Sequence, residues 1–151
     1  MLLFIFFLAV SLRFAFLPDN LFFGSEQGRD FLVIKGIVVD HDITLIGPKT
    51  DISGVFHGPL FYYLSAIPFA ISNGDPLVVS FFLIFLNSST VFFLYLLGTN
   101  LHSKRVGMIA ALILAISFYA IVNARWLSNP PLSIPFAKIA LYSSDFRPLL
   151  R

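Results

Sequence analysis

Cysteine is absent from the chain. That excludes a disulfide, a thiol nucleophile and any Cys-ligated metal. Charge is scarce as well. Asp, Glu, Lys and Arg make up 12% of the residues, against roughly 25% in a soluble domain. The formal charge of +2 comes with no basic run, so no nucleic acid is expected as a partner. Histidine stands only at 41, 57 and 102, and no HExxH-type pair exists. A metal held by clustered imidazoles is not expected, and no cofactor is called for.

What fills the chain instead is apolar. Of the 151 residues, 58% are hydrophobic, Phe alone occurs 19 times, and the mean hydropathy is +0.88. Composition places the chain in the membrane class before any motif is read. Residues 1–17 are apolar except Ser11 and Arg13, and 17 residues reach the short limit for a spanning helix. No basic leader and no small-residue cleavage site marks a signal peptide. Arg13 lies near the end of this run, where it is expected to snorkel to the interface.

Residues 18–76 form the one long polar passage. Pro18-Asp19-Asn20 is expected to end the first helix, and Phe22-Phe23 suits an interfacial belt. Ser25 is a fitting N-cap for a helix running to about Val39. Glu26 and Asp30, four apart, share a face of it, and Phe31, Ile34 and Val38 form its apolar stripe. The helix is too polar to span and suits the membrane surface. Residues 43–46 read as a short extended piece stopped by Gly47-Pro48. Residues 59–72 are apolar but brief and contain Pro68, which suits an interfacial helix better than a crossing one.

Residues 77–97 are uncharged and give the clearest spanning helix. Their Asn87-Ser88-Ser89-Thr90 patch suits close helix packing. Residues 106–124 give another spanning helix, and a further apolar run starts at 132. Lys138 interrupts that run, and a polar, basic stretch follows from 143. The pattern predicts the N-terminal piece of a larger protein, or a frame altered near residue 137. Charge sets the orientation. Region 18–76 has seven acids (19, 26, 30, 40, 42, 51, 75) against three bases (29, 35, 49), while the loop with Lys104 and Arg105 has no acid. Basic short loops stay cytoplasmic. The expected architecture is therefore all-α: a polytopic transmembrane bundle in the cell membrane, forming a single domain. An extracytoplasmic loop, 18–76, carries its interfacial helices.

This order of features resembles the membrane glycosyltransferases of the GT-C fold, of the protein O-mannosyltransferase and aminoarabinose-transferase type. The resemblance covers about residues 1–136. Glu26 falls where the family has its Asp-Glu pair, with Ser25 in place of the Asp. His57-Gly58-Pro59-Leu60-Phe61-Tyr62-Tyr63 resembles the family's HPPLYYY, with Gly58 replacing a Pro. Residues 107–124 followed by Arg125 resemble its fourth segment, although Trp126 stands where Ser-Arg-Glu would bring an acid.

The resemblance implies transfer of a sugar from a polyprenyl-phosphate donor to a lipid or protein acceptor at the outer face of the membrane. Such a reaction needs a base for the acceptor hydroxyl and cations for the departing phosphate. Glu26 is the first candidate base and Asp30 the second. Arg29, Lys49, His57 and Arg125 are the candidate cations. Each has a plainer reading. The acids can be a solvated helix face beside a favourable dipole. His57 can cap the next helix, and Arg125 can mark a helix end. Trp126, Tyr62 and Tyr63 are read as interfacial belt residues, and Lys104 and Arg105 as topology determinants. A non-enzymatic alternative remains, such as a lipid-linked sugar flippase, a transporter or a structural subunit. The absence of charge in 77–97 and 106–124 counts against a transport path.

Overall fold

The uncharged stretch after Pro76 forms the longest element of the computed structural model, which describes residues 1–128 and 131. Asp75 starts it: its side chain accepts from the Leu77 N–H at 2.8 Å, and Pro76 occupies the first turn, where no donor is needed. Helices α5 (Pro76–Ser88) and α6 (Thr90–Leu101) run on as one helix of 26 residues, about 39 Å long. Among the described residues it is the one unbroken helix long and apolar enough to cross a membrane.

The other elements in chain order are α1 (Leu2–Phe14), α2 (Leu17–Asn20), α3 (Ser25–Lys35), a π turn (Gly36–Asp40), α4 (Leu60–Ser72), α7 (Lys104–Ile116) and α8 (Phe118–Ala124). The described residues are all-helical outside loops, and no strand forms among them. The expected extended piece at 43–46 is irregular chain, exposed except at Thr44. The one β-bridge among the described residues joins Lys49 to Phe56.

Several boundaries differ from expectation. Helix α1 stops at Phe14, not at 17, because Phe16 takes a left-handed conformation (φ 57°). Pro18-Asp19-Asn20 belongs to the one-turn α2 instead of ending α1. The N-cap of α3 is Gly24, and Ser25 is its first helical residue. Gly24 has no side chain to cap with, but its N–H donates to Gln27 Oε1 at 3.0 Å. At its far end α3 widens into the π turn and closes at His41, also left-handed. Helix α4 is 13 residues with Pro68 inside it. Both α1 and α4 are thus about 20 Å long, shorter than the roughly 30 Å hydrocarbon core.

The largest correction concerns 106–124. It is two helices, α7 and α8, bent by 60° at Ser117. Both sides of the break are provided for. The Ser117 side chain accepts from the Ala120 N–H at 3.4 Å, while the carbonyls of Leu114 and Ala115 accept from Arg13, each at 3.4 Å. Arg13 therefore does not snorkel: it is 1% exposed. It also donates to the Ala9 carbonyl at 3.1 Å and to Asn87 Oδ1 at 3.3 Å. A buried guanidinium is tolerated where its donors are met. The expected helix start at 132 lies outside the described residues.

Two apolar cores lie along the long helix. Its first half packs with α3 and α4 through Phe31, Ile34, Phe61, Tyr62, Val79 and Leu83. Its second half packs with α1 and α7 through Ile5, Ala9, Val91, Ala111 and Ala115. Helix α1 runs antiparallel to it: Phe14 meets Phe81, and Phe6 meets both Phe85 and Phe92, with ring centroids 4.8–5.6 Å apart. The α6–α7 hairpin is tightest at Gly98 and Gly107, where a Cβ on Gly98 would stand 2.7 Å from the Gly107 Cα.

Candidate active site

Helix α3 carries the two acids, and the fold separates them. Asp30 is 1% exposed. Its Oδ1 accepts from Arg29 Nε at 2.9 Å and from the Tyr62 hydroxyl at 3.1 Å. Arg29 Nη2 lies 2.8 Å from the same oxygen. Tyr62 is 3% exposed, so it is a core residue and not a membrane-belt one. Burial, and then the Asp30 carboxylate, push its hydroxyl well above the ordinary phenol range. The hydrogen bond to Asp30 raises the Arg29 guanidinium, with burial acting against it. Glu26 is different. Its side chain is 44% exposed and reaches Arg29 only at 3.8 Å, a surface pair of small worth.

Glu26 stands between two cavities. One is a groove of about 500 Å³, walled by Phe22, Tyr119, Val122 and Trp126, with Glu26 and Arg125 on its polar side. The other, of about 280 Å³, is lined by Glu26, Lys49, Asp51, His57, Trp126 and Ser128. Glu26 and Trp126 are common to both.

A small hairpin-like loop brings Lys49 and His57 together. The Gly47 N–H donates to the His57 carbonyl at 3.0 Å, and the His57 N–H returns to the Pro48 carbonyl at 2.9 Å. Only glycine fits at 47, since a Cβ there would strike the His57–Gly58 backbone. Tyr63 pins the preceding segment: its hydroxyl donates to the Thr44 carbonyl at 2.9 Å and accepts from the Thr44 N–H at 3.1 Å.

Arg125 reaches the groove from the end of α8, but most of its donors are engaged. Nε donates to the Arg13 carbonyl at 3.0 Å, and Nη2 to the carbonyls of Leu12 and Ala15 at 2.8 and 2.7 Å. These are orphan acceptors at the end of α1, the negative end of its dipole. The bonding is crosswise: Arg13 of α1 caps α7, and Arg125 after α8 caps α1.

The fold thus gathers Glu26, Lys49, His57 and Arg125 around adjoining spaces, and it buries Asp30 beneath Arg29 and Tyr62. Sequence reasoning missed the groove wall of Phe22, Tyr119 and Val122, and also the Arg13–Asn87 contact. The second had a visible signal, because Arg13 is the one charge in the first apolar run and Asn87 opens the polar patch of the long one, and each needs a partner.

Neither the curated proteins nor the solved structures contain a match to this chain. A family model does match, over residues 56–145, from the His57 loop through the long helix and the bent pair to beyond Arg125-Trp126. Glu26, Arg29, Asp30 and Lys49 lie upstream of that stretch, so their place beside it rests on the fold. The match spans more than half of the chain, which therefore belongs to the dolichyl-phosphate-mannose-protein mannosyltransferase family.

Proposed function

We propose that this chain carries the reaction centre of a membrane glycosyltransferase. The enzyme moves a sugar from a polyprenyl-phosphate donor to an acceptor hydroxyl on the outer face of the cell membrane. Glu26 is the general base. Its carboxylate takes the hydroxyl proton as the acceptor oxygen bonds to the anomeric carbon. The bond from that carbon to the phosphate oxygen breaks, and polyprenyl phosphate leaves as the anion. Lys49 and His57 face the departing phosphate, where cationic donors stabilise developing charge. Asp30 and Arg29 hold the helix that presents Glu26, and Arg125 holds α8 against α1.

The observation that carries this reading is the position of Glu26. It is the half-exposed carboxylate on the shared edge of an apolar groove and a cavity lined by Lys49 and His57. A lipid-linked sugar is apolar on one side of its phosphate and polar on the other, and a base between two such spaces suits it.

The architecture follows from the same reading. The long helix and the bent pair traverse the membrane within a single domain, and the shorter α1 packs antiparallel against the long helix. Residues 18–76 remain outside, with α3 and α4 at the surface.

The test is sugar transfer from a polyprenyl-phosphate donor in proteoliposomes. Glu26→Gln keeps size but cannot accept a proton, and loss of a positioned base costs about 10²–10⁴-fold in rate. Asp30→Asn should retain transfer to within about tenfold of the parent. Near-normal activity of Glu26→Gln beside an inactive, folded Asp30→Asn would move the base one helical turn. Lys49→Ala and His57→Ala should raise the donor KM more than they lower kcat.

A further inference from the structure

Trp126 is the one aromatic side chain shared by the groove and the cavity. It is the chain's single tryptophan and is 42% exposed. Its position comes from the backbone turn that ends α8, where the Trp126 N–H donates to the Asn123 carbonyl at 3.1 Å and the Ser128 N–H returns to the Trp126 carbonyl at 2.8 Å. The next two residues, Leu127 and Ser128, are buried. The turn is therefore anchored while the indole stands free. A membrane-belt tryptophan has no need of a catalytic-side carboxylate on either flank, and here Glu26 lines both spaces that the indole divides.

We infer that Trp126 is a specificity-determining residue. Its indole packs on the first isoprene units of the donor in the groove, and so sets where the phosphate turns into the cavity beside Glu26. This rests on the proposed transferase reading. The groove wall of Phe22, Tyr119, Val122 and Trp126 offers aromatic and branched carbon to a branched, unsaturated chain. The cavity offers Lys49 and His57 to the phosphate and Asp51 and Ser128 to sugar hydroxyls. Glu26 sits at the crossing, where the anomeric carbon would come to lie.

Because Trp126 is the sole tryptophan, its emission reports the groove directly in the unaltered chain. In nanodiscs, a long-chain polyprenyl phosphate should shift the emission to the blue and saturate, while the same mole fraction of phosphatidic acid should not. Trp126→Ala should raise the dissociation constant for the long-chain phosphate about tenfold, the loss of one isoprene-sized contact. It should leave binding of methyl phosphate, which carries no isoprene unit, unchanged, and Trp126→Phe should recover most of the loss. A purely structural tryptophan would weaken both ligands together.

Emission unmoved by saturating polyprenyl phosphate would overturn the assignment. So would an equal response to phosphatidic acid, or equal loss for the long-chain and methyl phosphates. These outcomes separate from the test of the base. A Glu26-independent transfer with an isoprene-dependent Trp126 response sinks the base and keeps the groove; the converse sinks only the Trp126 assignment.

Discussion

Asp30 concentrates its bonds on one oxygen. Arg29 and Tyr62 both address Oδ1, while Oδ2 is buried without a hydrogen-bond partner among the described residues. Such a group holds a helix in place but has no open side on which to receive a substrate proton. Asp30→Asn should therefore act on stability. It removes the charge that accepts from Arg29 and from the buried Tyr62 hydroxyl, and losing a charge-assisted bond costs about 1–3 kcal/mol. Thermal unfolding in detergent should show that loss, with transfer still measurable. The Arg29 side of the pair does not limit it. A cation whose folded value is raised keeps its contribution below its unfolded value and loses it only as pH climbs through the folded one. For Arg29 that window lies above the ordinary arginine range. Of this arrangement, sequence showed that Glu26 and Asp30 share a helical face. It did not show which of them faces the core. That depends on Phe61 and Tyr62, more than thirty residues away, packing over the Asp30 side of α3.

The bend at Ser117 is an element that composition conceals. The run 106–124 carries no charge, and serine does not break a helix by itself. The break exists because partners elsewhere satisfy it: Ser117 caps the start of α8, and Arg13, from another helix, caps the end of α7. The clear long helix, by contrast, was legible because its length and lack of charge suffice. Asn87→Leu leaves Arg13 Nε without its acceptor and should lower stability by about 1–3 kcal/mol. Arg13→Ala should cost more, because the Leu114 and Ala115 carbonyls lose their donor together. A double-mutant cycle read by thermal unfolding should return coupling between the two. The α6–α7 hairpin makes a separate demand. A Cβ on Gly107 would strike the Tyr95 carbonyl oxygen and stand 2.6 Å from Thr99 Oγ1. Gly107→Leu should force the helices apart at about 1–3 kcal/mol, visible as a lower melting temperature.

On the scale of the whole molecule, the end of α1, the end of α8, the first turn of α3 with Glu26 and the loop carrying Lys49 and His57 meet at one side. Lys104 and Arg105 open α7 at its first turn, where the helix dipole does not favour cations. On the proposed orientation their use there is topological. The absence of cysteine makes the test simple, since Thr50→Cys and Ser103→Cys each introduce one label site on a clean background. Impermeant maleimide should reach Thr50→Cys from outside and Ser103→Cys only from inside; labelling of both from one side would refute the arrangement. The crosswise arginines also impose an order of birth. Arg13 is synthesised 101–102 positions ahead of the two carbonyls it will bind on α7. At roughly 5–20 residues per second that gap lasts about 5–20 s. Through that interval the guanidinium, in the last turn of α1, has the Ala9 carbonyl of its own helix and then Asn87, but not its α7 acceptors. On the proposed topology the seat of α1 in the bundle is therefore complete only once the ribosome has delivered residue 115.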